Sequence, residues 1–109
     1  MNYLVRLLPR AKLHLVNAAL WWAEKRSVEQ AVLWIDGFEA ALRLLANNPE
    51  DWPLAPECDA VPFEIREMTF GLGRHKTHRA VFEIRQHEVI VFAIRHLAQD
   101  SLTPDDFRL

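Results

Sequence analysis

Residues 65–96 read IREMTFGLGRHKTHRAVFEIRQHEVIVFAIRH, and the folding of this stretch decides the architecture. Its apolar residues recur at every second position, which is the period of a strand. Residues 65–70, 80–85 and 88–96 are each predicted as strands. A loop opened by Gly71 joins the first two, and Gln86-His87 has the length of a tight hairpin turn, although neither residue is of the favoured Asn-Gly type. Residues 89–94 are almost wholly apolar, as a central strand covered on both faces would be. In the middle strand Ala80, Phe82 and Ile84 fall on one side, with Arg79 and Arg85 on the other. The two arginines are therefore expected to face outward, along an open face of the sheet. Residues 73–85 also hold Arg74 and Lys76, a local concentration of positive charge that asks for a partner.

Upstream, the period lengthens to that of a helix. Leu13, Val16, Leu20 and Ala23 mark one face of a helix over residues 11–26. Ser27-Val28-Glu29-Gln30 matches a capping box that starts a second helix. Ala31, Trp34, Ile35, Phe38, Leu42 and Leu45 form its apolar stripe, and Asn47-Asn48-Pro49 stops it. Residues 3–8 before the hairpin read as a short strand ending at Pro9. Residues 47–62 hold four of the six prolines and must be a loop, which Trp52 is expected to tether to the core. Thr103-Pro104-Asp105-Asp106 carries the signature of a helix start. The order is β-α-α-β-β-β with a short terminal helix. The expected fold is α+β: one domain spanning residues 1–109, with a small antiparallel sheet covered on one face by an N-terminal helical hairpin.

Composition narrows the function classes. Half of the 109 residues are hydrophobic and 26% are charged, a globular balance for one domain. The net charge of −2 argues against a general nucleic-acid binder, so local patches must carry any such case. Residues 1–27 are net +4 and residues 28–60 net −6. No apolar run approaches the roughly 20 residues that cross a membrane, and the N-terminal residues lack the pattern of a secretory leader, so a cytoplasmic location is expected. The single cysteine, Cys58, excludes an internal disulfide framework and reads as an inert thiol.

The joint pattern resembles the RelE/ParE superfamily of bacterial type II toxins, which includes the plasmid stabilisation proteins. The resemblance rests on Tyr-Leu-Val-Arg-Leu-Leu-Pro at residues 3–9, the tryptophan-bearing hairpin, Leu-Ala-Asn-Asn-Pro and Ala-Pro-Glu in the loop region, IREMTFGLGRHKTHRAVFEI at residues 65–84 and VIVFAIRHLAQD at residues 89–100. It implies a growth-inhibiting toxin that needs no cofactor and is neutralised, in a hetero-oligomer, by a cognate antitoxin. Two activities occur in the superfamily. ParE-like members bind and poison DNA gyrase, whereas RelE-like members cut messenger RNA on the ribosome without metal.

Metal-free RNA cleavage needs a base, an acid and cations around the phosphate. The resemblance carries Arg79, Arg66 and His96 into such roles. Glu64 stands where RelE-like toxins have a second basic residue, and the only tyrosine, Tyr3, lies at the wrong end of the chain. Arg95-His96 followed by a short run and Asp100 is closer to ParE-like members. Arg74, Lys76, Arg85, Arg95, Trp21 and Trp22 are then candidates for contacting target or antitoxin, with one tryptophan of the pair in the core and one on the surface. The plainer reading pairs Arg66 and Arg79 with Glu64, Glu67 or Glu83 as cross-strand ion pairs. His75, His78 and Cys58 have neither the spacing nor the number for a zinc site, so no metal is expected.

Overall fold

The chain starts at an edge of the sheet and reaches its centre last. A computed structural model describes residues 2–99 and 101–108. Strand β1 (Leu4–Leu7) runs straight into helix α1 (Pro9–Lys25), whose first turn holds Pro9 where a missing N–H costs nothing. Helix α2 (Val28–Leu44) follows after a single turn. The Ser27 hydroxyl caps it, accepting from the Gln30 N–H at 3.1 Å. Two short 3₁₀ turns, Pro49–Asp51 and Pro56–Ala60, organise the proline loop. Strands β2 (Arg66–Phe70), β3 (His78–Arg85) and β4 (Glu88–His96) complete the sheet, and a 3₁₀ turn at Pro104–Phe107 closes the chain. In that turn the Asp106 carboxylate accepts from the Thr103 N–H at 2.8 Å.

The α+β architecture is as expected, but the sheet is mixed. Its order is β1-β4-β3-β2, and β1 lies parallel to β4, Leu4 opposite Glu88 and Leu7 opposite Val91. The meander β2-β3-β4 is antiparallel. Short turns dictate that alternation, whereas β1 is separated from its neighbour by both helices and the loop, so no turn fixes its direction. Strand β4, the most apolar, thereby gains a neighbour on each edge and becomes central, as its sequence predicts.

The helices cover one face of the sheet. Trp34, Phe38, Leu42 and Leu45 from α2 and its end meet Met68, Ala80, Phe82, Val89, Val91 and Ile94, and Trp52 packs against this cluster from the loop. Ala80, Phe82 and Ile84 face the helices as the alternation requires. The other face is also covered, although only one layer of helices was expected. Ala55, Ile65, Leu102 and Phe107, drawn from the proline loop and the tail, bury Val81, Ile90, Phe92 and Ala93. A bulge sets Val81 opposite Ala93 but Phe82 opposite Val91. It turns Phe92 and Ala93 to the same side, and Phe92 then meets Phe107 edge-on at 5.3 Å.

Helix α1 corrects a second expectation. Its predicted core stripe faces water: Leu13, Val16 and Leu20 are 58%, 48% and 61% exposed. The residues that pack inward are Ala11 and Leu15, with Ala18, Ala19 and Trp22 beside them. Small inner side chains let the helix lie close on its neighbours. The helix is apolar on two opposite sides, and period alone cannot choose between them.

Candidate functional site

The histidines of β3, β4 and α1 converge on one pocket. In β3 the side chains at 78, 80, 82 and 84 share the helix side, so His78 enters the core, where it is 7% exposed and meets Trp34 edge-on at 4.8 Å. Its strand partner across the ladder is His96, the ring centres 5.0 Å apart. Helix α1 crosses the end of β4 and brings His14, Asn17, Ala18 and Trp21 to the same place. Together with Ile94, Arg95 and Gln99 these residues line a pocket of about 490 Å³.

Hydrogen bonds fix the imidazoles. Past the end of β1, the exposed edge of β4 still needs an acceptor for the Ile94 N–H, and His14 Nδ1 supplies it at 3.2 Å. Burial, and then the charge of Arg95, hold the His14 pKa below the ordinary histidine value. Burial also pushes His78 down to about 4, with His96 adding to the effect. His78 Nδ1 lies 2.8 Å from the Thr77 hydroxyl. His96 Nδ1 accepts from the Ala98 N–H at 3.0 Å, and the His96 N–H donates to Gln99 Oε1 at 2.7 Å. The turn after β4 is thus tied to the pocket by its own residues. Trp21, 49% exposed, stands edge-on to Trp22 at 5.5 Å, and Trp22 packs inward beside Trp34. The expected division of the tryptophan pair is what the fold produces.

Arg79 lies elsewhere. It points to the opposite face, as the alternation predicts, but not into solvent: it is 8% exposed beneath the proline loop. Its guanidinium grips Glu57 through both Nη atoms and donates to Glu67 Oε1 at 3.1 Å. Glu57, 4% exposed, also accepts from the Leu102 N–H at 2.9 Å. The bonds from Arg79 hold the Glu57 carboxyl down at about 2. One buried ion group therefore joins the loop, the sheet and the tail. Of the ion-pair partners considered from the sequence, Glu67 is met, whereas Glu57 was hidden in the loop, 22 positions away. Glu83 pairs instead with the exposed Arg85 at 3.0 Å. Arg66 donates to the Trp52 carbonyl at 2.6 Å and sits 3.9 Å from Glu64.

Of the residues singled out from the sequence, the fold brings Trp21, Arg95 and His96 together in one pocket. It leaves Arg74 and Lys76 exposed on the loop between β2 and β3. In that loop Gly73 has φ +71°, and a Cβ on Gly71 would lie 1.9 Å from the His75 carbonyl oxygen. Arg85 sits at the far end of β3, seven residues or about 23 Å from His78. Asp100 lies outside the described residues. His14, Asn17, His78 and Gln99 were missed. The spacing 14, 17, 18, 21 along one flank of α1, and the strand parity of His78, are the signals that could have found them. Among the described residues no group of three or more His, Cys, Asp or Glu could hold a metal ion.

A second concave surface runs along β1. Leu4, Val5, Arg6 and Leu7 on the sheet edge face Lys12, Leu15 and Val16 of α1 and Ile35 and Glu39 of α2 across a groove of about 590 Å³. Leu4, at the open edge, is 66% exposed. Beside the groove lies the outward stripe of α1, so apolar surface continues from the edge strand over the hairpin.

A family model described as the ParE toxin of the type II toxin-antitoxin system, parDE, matches residues 5–101. No curated protein matches the sequence significantly. The fold is shared with a solved structure described as a chromosomal ParDE TA system from P. aeruginosa, with a TM-score of 0.70 and 15% identity, over 86% of this chain and 95% of that one.

Proposed function

The chain belongs to the ParE toxin family, and on that premise we propose that it arrests growth by binding DNA gyrase in the cytoplasm and is neutralised by a cognate antitoxin. The observation that carries this reading is the separation of the three residues an RNA-cleaving member would need. His96 opens into the pocket on the helix side, Arg79 is spent on two carboxylates under the loop, and Arg66 is held by a backbone carbonyl. A scissile phosphate approaching His96 would find neither Arg79 nor Arg66 within reach, so the charge stabilisation those two arginines would have to supply is not available there. Binding needs no such constellation. The exposed Arg74 and Lys76 and the half-exposed Trp21 offer the charge and the aromatic anchor that interfaces use.

The antitoxin has a surface with the right chemistry. An edge strand with unpaired backbone groups, a groove beside it and an apolar helix flank together invite an extended or helical segment. Residues 1–27, which form most of that surface, are net +4, so an acidic, amphipathic segment is the matching occupant.

The test is a supercoiling assay with purified gyrase and the full chain. Inhibition at micromolar toxin, reversed by stoichiometric antitoxin, is the expected outcome. Unimpaired supercoiling together with messenger RNA cleavage on programmed ribosomes would transfer the chain to the ribonuclease class. In that case His96→Ala, a change at an exposed position, should abolish cleavage while the protein stays folded.

A further inference from the structure

The pocket beneath Trp21 shares that ring with the surface offered to the target, but its lining has a specific chemistry of its own. Most of its wall is apolar, one side is a tryptophan ring held edge-on by Trp22, and the remaining positions are imidazoles, carboxamides and the side chain of Arg95. Such a wall offers a stacking plane together with groups that both donate and accept hydrogen bonds. His14 and His96 each use Nδ1 on a backbone N–H, which assigns the proton to Nε2 in the neutral ring and leaves Nε2 available for another group. Asn17 and the amide nitrogen of Gln99 add donors, while Gln99 Oε1 is already engaged. Positive charge borders the site. Arg95 lines it and acts on His14, and Lys76 precedes His78 by two residues.

We propose that this pocket binds a nucleoside phosphate, its base stacked on Trp21 and its edge met by His14, Asn17, His96 and Gln99, with the phosphate at the cationic rim. A base supplies the flat apolar face and polar edge that the wall matches, and about 490 Å³ is ample for one nucleotide. A purely anionic ligand would leave the tryptophan unused, and a purely apolar one would strand the imidazoles. Base stacking on an aromatic side chain tolerates any base, so the site discriminates nucleotides from other ligands more sharply than it discriminates among bases. The ligand can be a free nucleotide or one unit of a single strand. The inference stands apart from the gyrase reading, because it concerns the isolated chain.

Histidine ring signals in a proton–carbon NMR spectrum of the full chain test it directly. Three of the five histidines line the pocket and two, His75 and His87, are exposed outside it. Titration with adenosine or guanosine 5′-monophosphate should shift the His14 and His96 signals saturably, with a Kd of about 1 mM or below, and leave His75 and His87 in place. Adenosine alone and inorganic phosphate should each bind about tenfold more weakly. Trp21→Ala, a change at a half-exposed site, should weaken nucleotide binding by about tenfold or more with an unchanged fold by circular dichroism. A trinucleotide binding several-fold more tightly than the monophosphate would identify a single strand as the ligand, and equal affinity a free nucleotide. No saturable shift at about 10 mM nucleotide would overturn the proposal. So would equal binding of inorganic phosphate, equal shifts at His75 and His87, or undiminished binding by Trp21→Ala.

Discussion

The two faces of the sheet are buried by different means. On the helix side two regular helices bring large aromatic side chains to β3 and β4, and the core holds itself by apolar packing. On the other side the cover is irregular: a proline loop and a short 3₁₀ turn, which supply few backbone hydrogen bonds of their own. There the Arg79 ion group does what helix geometry does opposite. It takes one carboxylate from the loop, a second from β2 and, through Glu57, the backbone of the tail. A loop has no repeating ladder to hold its shape, so a few directional bonds must fix it. The difference teaches that a cationic residue on a strand can be a fastener as easily as a site.

The most damaging way to break that contrast is to cut the fastener. Arg79→Ala leaves the Glu57 carboxylate buried without its partner, and such losses cost about 3–5 kcal/mol. Urea melts of the full chain should show that loss, while the double change Glu57→Leu with Arg79→Met should recover much of it, since apolar replacement of a buried pair is often neutral. A helix-side truncation such as Phe38→Ala should cost a similar amount, yet no polar partner substitution should rescue it. If the double change is no better than Arg79→Ala, the ion group is not the fastener described.

Acid separates the faces next. The folded-state pKa of His78 is depressed to about 4, so between pH 6.5 and 4 the unfolded chain takes up a proton that the folded chain refuses. Helix-side stability is therefore full above pH 6.5 and falls as the pH drops to about 4, by roughly 2–3 kcal/mol. His14, depressed in the same direction, adds to that limb. Glu57, depressed to about 2, contributes stability that is present above pH 4.5 and lost as the pH falls towards 2. Stability measured against pH should show two descents. His78→Phe should flatten the upper one and leave the lower, and a single unaltered descent in that variant would contradict the assignment.

How much of this was legible follows from the same physics. The strands, the hairpin and the cap at Ser27 are local patterns, and local patterns carry their own period or hydrogen bond. The parallel pairing of β1 and the Glu57–Arg79 contact join residues far apart in sequence, and nothing near either partner announces them. His78 was read as part of a loop because Gly71 and Gly73 sit close before it, although its parity with Ala80 already placed it inside. Trp21 and Arg95, both candidates for contacting target or antitoxin, turn out to line one pocket with His14, whose place on the other flank of α1 the counted stripe did not reveal.

Local energetics offer a smaller test. Ser27→Ala removes the only side-chain cap between the two helices, and such caps are worth about 1 kcal/mol. The loss should appear as a modest fall in the thermal midpoint. Ser27→Gly should cost only a few tenths, which distinguishes loss of the cap from loss of a side chain. Neither change should alter the acid limb set by His78, because the cap lies outside that cluster.

The smallest effect on stability belongs to the stripe that sequence periodicity took for core. Leu13 and Leu20 project from α1 on the side away from Leu15 and Ala18, 58% and 61% exposed. Exposed positions of this kind contribute within about 0.5 kcal/mol to folding. Leu13→Ser with Leu20→Ser should therefore leave the urea midpoint nearly unchanged, where Leu15→Ala, 5% exposed in the wild type, should cost about 2–5 kcal/mol. A leucine kept on a water-facing stripe at no gain in stability needs another use. If the stripe and the β1 groove receive the antitoxin, the double serine variant should bind it at least about tenfold more weakly, since desolvated apolar anchors dominate such interfaces. Unchanged antitoxin affinity in a fully folded double variant would remove this flank of the hairpin from the interface and confine the partner to the sheet edge.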